Sequence, residues 1–109
     1  MSANLEQIKG DICEAIDTQK VIKFLYKGQP RIAEPYIYGI SAAGKYILLA
    51  YQTGGYSSTN KFGWKLFEIT NISVLNVTES EFVVIGAERL RYDPIDKRFL
   101  RTFCAIPKH

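Results

Sequence analysis

The stretch Lys20-Val21-Ile22-Lys23-Phe24-Leu25-Tyr26-Lys27 alternates with a period of two. Val21, Lys23, Leu25 and Lys27 fall on one side, and Ile22, Phe24 and Tyr26 on the other. This is the pattern of a strand with one face turned to a core. Gly28-Gln29-Pro30 reads as a turn. Downstream, Arg31 to Gly39 continues extended. Pro35 has no N–H to give a ladder, so its site belongs at an edge or a bulge. Ser41-Ala42-Ala43-Gly44 turns the chain again. Lys45 to Gln52 is rich in Tyr, Ile and Leu and is the most strand-like stretch. The Gly- and hydroxyl-rich segment Thr53 to Lys61 reads as a loop. Phe62 to Ile69 and Ile72 to Thr78 give two further strands. Five short strands joined by tight turns point to a small barrel or a strongly bent sheet.

Upstream, residues 4–18 read as a helix. Leu5, Ile8, Ile12, Ala15 and Ile16 form one apolar stripe at helical spacing, and Asn4 with Gln7 fits a capping box. The other face carries Glu6, Lys9, Asp11, Glu14 and Asp17, so the stripe must pack against the sheet. The fold class is α+β, mainly β, in one domain spanning 1–109. Past Thr78, Phe82 to Ile85 is a candidate extension of the sheet. Asp93-Pro94 looks like a helix start, and Ile95, Phe99, Leu100, Phe103 and Cys104 recur at helical spacing. The run Arg98 to Ile106 has an equal reading as a strand.

The chain has 109 residues, 47% apolar and 23% charged, which is an ordinary globular composition. Its net charge of +3 arises in the last segment, where Arg89, Arg91, Lys97, Arg98, Arg101 and Lys108 face Glu88, Asp93 and Asp96. Such an excess suits a polyanion or is simply a solvated basic face. The only histidine is His109, and Cys13 and Cys104 form no CxxC, so neither a metal nor a cofactor is expected. Small buried core positions are the expected role of the two cysteines, with a disulfide between them left open. The first residues are polar and lack a signal-peptide core, and no apolar run reaches bilayer length. A cytoplasmic location without membrane association is therefore expected, and the sequons at Asn71 and Asn76 carry no weight.

The ordered series of motifs resembles the WYL domain family over about residues 8–78. Ile22-Lys23-Phe24-Leu25-Tyr26 is similar to its first-strand pattern. Arg31 and Pro35 match an arginine placed a few residues before a proline. Lys45-Tyr46-Ile47-Leu48-Leu49-Ala50 stands at the name-giving strand and retains its central tyrosine. Trp64-Lys65-Leu66-Phe67-Glu68-Ile69 is similar to the later aromatic-basic-leucine strand. The resemblance implies an N-terminal helix on an Sm-like, SH3-type five-stranded barrel. It also implies a regulatory role sensing nucleic acid or a nucleotide-like ligand. The chain departs from the pattern in several places: Lys45 replaces the tryptophan, the expected arginine falls at Phe62 beside Lys61, and Phe67-Glu68 replaces an acidic-basic pair. One N-terminal helix does not supply the usual helix-turn-helix partner.

Arg31 is the first candidate ligand contact, because a guanidinium holds phosphate bidentately. Its other reading is an ion pair with Glu34. Tyr26 and Tyr46 are suited either to stacking on a base or to the core. Trp64 reads as a core residue, which turns Lys65 to the opposite strand face and makes it the second cationic candidate. The loop holding Tyr56 has no phosphate-loop signature. Glu34 and Glu68 are weak evidence for acid-base work, and the chain has no Gly-x-Ser-x-Gly motif and no metal-ligand cluster, so no catalytic residue is expected. Two functions follow: a non-enzymatic sensor of a nucleotide-like ligand or short single strand, or a protein-interaction or homodimerising module of the same fold.

Overall fold

A computed structural model describes residues 5–57 and 61–107. Asn4 of the expected capping box, residues 58–60 of the loop and His109 lie outside them. The chain forms one helix and a six-stranded antiparallel sheet. Helix α1, Leu5–Thr18, buries Ile8, Ile12, Ala15 and Ile16 of the expected stripe, with Leu5 half-buried at its start. It ends where Gln19 turns into the left-handed region (φ 52°) and its N–H bonds back to Ile16. α1 lies against β1, β2, β5 and β6. Each fully buried isoleucine contributes ~1.5–3 kcal/mol of transfer free energy.

β1 (Lys20–Tyr26) and β2 (Gln29–Ile40) form a hairpin in which Tyr26 pairs with Gln29. The connecting pair is therefore Lys27-Gly28, one residue earlier than expected, with φ of 52° and 80°. Positive φ at both positions matches the twist of a two-residue hairpin turn. β3 (Tyr46–Gly55) pairs with β2, and β4 (Gly63–Glu68) pairs with β3. A 3-10 turn at Ile69–Asn71 leads into β5 (Ile72–Glu81), which returns to β1. The strand order is β4-β3-β2-β1-β5, so the sheet is open, with β4 and β5 at its ends.

β2 changes neighbours halfway along. Gln29–Ala33 pair with β1, while Ile37–Ile40 pair with β6, Arg101–Ala105. Pro35 sits in the gap between the two ladders, at a register shift against β3. Its missing N–H costs nothing there, because neither neighbour asks for it. β6 is the sixth strand, beyond the five expected, and it settles the tail: 101–105 is extended, and no α-helix forms after Pro94. The helical spacing fails as a core signal because Ile95 and Leu100 are 86% and 70% exposed. Phe82 to Ile85 does not extend the sheet. β5 ends at Glu81, although the Phe82 N–H still reaches Gln19 O at 2.9 Å.

Cys13 on α1 and Cys104 on β6 form a disulfide, their Cα atoms 5.5 Å apart. The cysteines are therefore bonded rather than free core residues, and they tie the first element to the last. No helix among the described residues is long and apolar enough to cross a membrane.

Candidate functional site

Register decides which side chains share a face. Pro35, Ala50 and Lys65 stand in one cross-strand row, and Ala33, Gln52 and Gly63 in the next. Arg31, two residues before Ala33, belongs to the same face. Much of that face is buried: Ile22, Phe24, Ala33, Leu48, Ala50, Gln52 and Phe67 are all buried. Arg31 is half-buried at its end. Its guanidinium lies 5.5, 5.4 and 5.7 Å from the ring centroids of Tyr26, Tyr56 and Phe67. Phe67 in turn packs edge-on against Phe24 and Tyr26. The Tyr26 hydroxyl accepts from Glu68 N at 3.1 Å, bridging β1 to β4 by a side chain.

Arg31 makes little use of its donors. One terminal nitrogen donates to Gln52 Oε1 over a long 3.4 Å, and the buried Nε has no partner. An unpaired buried donor costs about 1–3 kcal/mol, so this cation rests chiefly on ring faces. The expected ion pair with Glu34 does not form. Glu34 is on the opposite face, where Arg89 Nε and a terminal nitrogen hold its two oxygens at 2.8 and 3.0 Å. The Tyr36 hydroxyl adds a third donor to Glu34 at 3.2 Å. Burial first, then the Glu34 charge, pushes the Tyr36 hydroxyl well above the ordinary tyrosine range.

The four candidates do not all converge. Tyr26 and Arg31 are in contact. Lys65 shares their sheet face, two residues along β4 from Phe67, half-buried and without an ion pair among the described residues. Tyr46 is elsewhere. It starts β3 at Ile40, nine residues from the Gly55 that faces Arg31, or roughly 30 Å of strand. Lys9 of α1 covers its ring at 3.7 Å, with Tyr38 and Phe103 beside it.

Tyr56, Gln52 and Phe67 complete the surroundings of Arg31; Gln52 was not singled out, Phe67 only as a departure from the family pattern, and Tyr56 only as an exposed side chain of its loop. Gln52 carried a signal, as the polar end of the apolar run Tyr46–Tyr51. Tyr56 is set beside Arg31 by the β2–β3 ladder, which its N–H to Pro30 O extends one step past Gly55. Trp64 lies on the outer face among aromatic side chains, as its core reading implied, but it is half-buried. Among the described residues, no cluster of His, Cys, Asp or Glu suits a metal ion. Compared with known family models, curated proteins and solved structures, the chain matches none.

Proposed function

We propose that this chain is a non-catalytic sensor domain of the WYL type, holding a nucleotide-like ligand or a short single strand at Arg31. The observation that carries the reading is an arginine bedded on three aromatic rings that has, among the described residues, no carboxylate partner and an unpaired Nε. Guanidinium forks bind phosphate oxygens bidentately, and Tyr26 and Tyr56 offer ring surface to a base. Lys65 adds a second positive charge on the same face. The strand order, the 3-10 turn between β4 and β5 and the Tyr26 bridge support an Sm-like course of the chain, with the sheet left open because β4 and β5 do not pair. The test is titration with a labelled single-stranded oligonucleotide and with a mononucleotide. Binding is expected to weaken as salt rises, and Arg31→Ala should reduce affinity roughly 10- to 100-fold, the value of a charge-assisted bond. Absence of binding at low salt ends the proposal.

A second reading has its own observation: β4 and β5 are each paired on one side only, and such open edges can join a second chain. Light scattering over a wide concentration range tests the homodimer, and a strict monomer removes it. We place the domain in the cytoplasm on its polar first residues and lack of a bilayer-length apolar run. There the thiol pool is expected to keep Cys13 and Cys104 largely reduced, and the disulfide weighs against the placement. Thiol trapping in intact cells that finds the pair always oxidised overturns that placement.

A further inference from the structure

We propose that the chain has a second binding site, independent of Arg31, for a small planar aromatic anion. A cavity of about 370 Å³ lies between the outer face of β3–β4 and the segment 91–98. That volume is within the range of small-molecule sites, ~300–1,000 Å³. Its aromatic wall is Trp64. The indole meets Tyr36 and Tyr51 edge-on at 4.7 and 5.2 Å between centroids. Its Nε1 donates to Glu88 O at 3.0 Å. Tyr92 lies close to parallel with it, at 20°. An indole held on so many sides is a preformed platform, which lowers the ordering cost of binding.

The charges around the cavity are not equally engaged. Arg98 holds Asp96 with two side-chain bonds of 3.0 and 2.8 Å, and its own N–H adds a third at 2.9 Å. This pairing holds the Asp96 carboxyl below the ordinary carboxylate range. Asp93 accepts from Ile95 N at 2.9 Å. Arg91 and Lys97 are exposed and form no ion pair among the described residues. Two available cations therefore stand beside a fixed indole. An aromatic ring lying against Trp64 and carrying a carboxylate or phosphate toward Arg91 and Lys97 uses both features. A neutral aromatic uses only the indole and leaves the two cations unanswered. Trp64 and Lys65 project from opposite faces of β4, so this site and the Arg31 site lie on different sides of one strand.

Trp64 is the only tryptophan, so one indole N–H resonance reports occupancy. The full chain is titrated with benzoate, phenyl phosphate and benzyl alcohol. The two anions are expected to shift the Trp64 indole and the amides of 91–98 with saturation, and their ratio shows which head group is preferred. Benzyl alcohol should bind roughly tenfold more weakly or worse. Arg91→Ala with Lys97→Ala should lose anion binding about tenfold or more while keeping the wild-type melt. Rising salt should weaken anion binding to the unaltered chain in parallel. The proposal is overturned by an absent or non-saturating shift, by an equal response to benzyl alcohol, or by salt-independent binding. It also falls if binding is unchanged in the double variant, or if shifts are confined to Tyr26, Arg31 and Tyr56.

Discussion

Arg31 and Glu34 lie three positions apart on β2 and meet opposite fates. Odd spacing turns them to opposite faces, so the carboxylate nearest in sequence is out of reach of the guanidinium. Glu34 is only 6% exposed and takes its cation from Arg89, 55 residues away. Removing that cation leaves a buried charge without its partner. Arg89→Met is expected to destabilise the fold by about 3 kcal/mol, read as a lowered urea midpoint. Adding Glu34→Gln to it should restore part of the loss, since an amide needs no counter-ion. If the single variant melts like wild type, the pair does not hold this face together. Alternation put Phe24 and Tyr26 on one face of β1, but the Arg31–Tyr26 neighbourhood needed the register, Phe24 against Arg31, which the two-residue turn at Lys27-Gly28 sets and the expected turn at 28–30 did not give. The Glu34–Arg89 pair was not legible, because no local pattern links a residue inside β2 to one in an irregular segment 55 positions later.

Among the elements, α1 and the five strands to Thr78 followed from periodicity, and their boundaries moved by only a few residues. β6 resisted because Phe99, Leu100, Phe103 and Cys104 satisfy a period of 3.6 as readily as an extended run. What selects the strand is tertiary: the Ile37–Ile40 half of β2 lacks a partner on the side that β1 has left. Gly39 makes the approach possible. A Cβ there would strike the Arg101 carbonyl and come within 2.8 Å of the Phe99 ring. The obstacle is backbone, which cannot swing aside. Gly39→Ala is therefore expected to cost about 1–3 kcal/mol and to speed amide exchange at 101–105 more than in β1. Uniform exchange across both strands contradicts this account of β6.

At the scale of the whole molecule, buried tyrosines couple stability to alkaline pH. Burial, followed by the nearby Tyr46 and Glu6, pushes the Tyr38 hydroxyl up to about 12. Burial is also the main cause raising Tyr36 and Tyr92, with Glu34 and Asp93 adding to it. An unfolded tyrosine titrates near ~10. Above that pH the unfolded chain releases protons that the native state keeps, so stability falls as pH rises. The contribution is complete below about pH 10 and is lost on the way to the native values. Urea midpoints should stay level through neutral pH and drop once pH passes ~10, with a cooperative rise in tyrosinate absorbance at unfolding. A smooth tyrosinate titration of all seven tyrosines in a chain that stays folded rules this coupling out.

The bond between α1 and β6 also sets how the domain carries force. Cys13 and Cys104 are 91 positions apart in sequence, yet their Cα atoms are 5.5 Å apart. Tension applied from outside those two positions passes through the sulfur bridge and bypasses everything between. In the oxidised state a pull lengthens the chain only by what flanks the bridge, and β1 to β5 bear no load along their own length; the last pairing of β6, at Ala105, lies outside the bridge. Reduction hands the same load to the β2–β6 ladder.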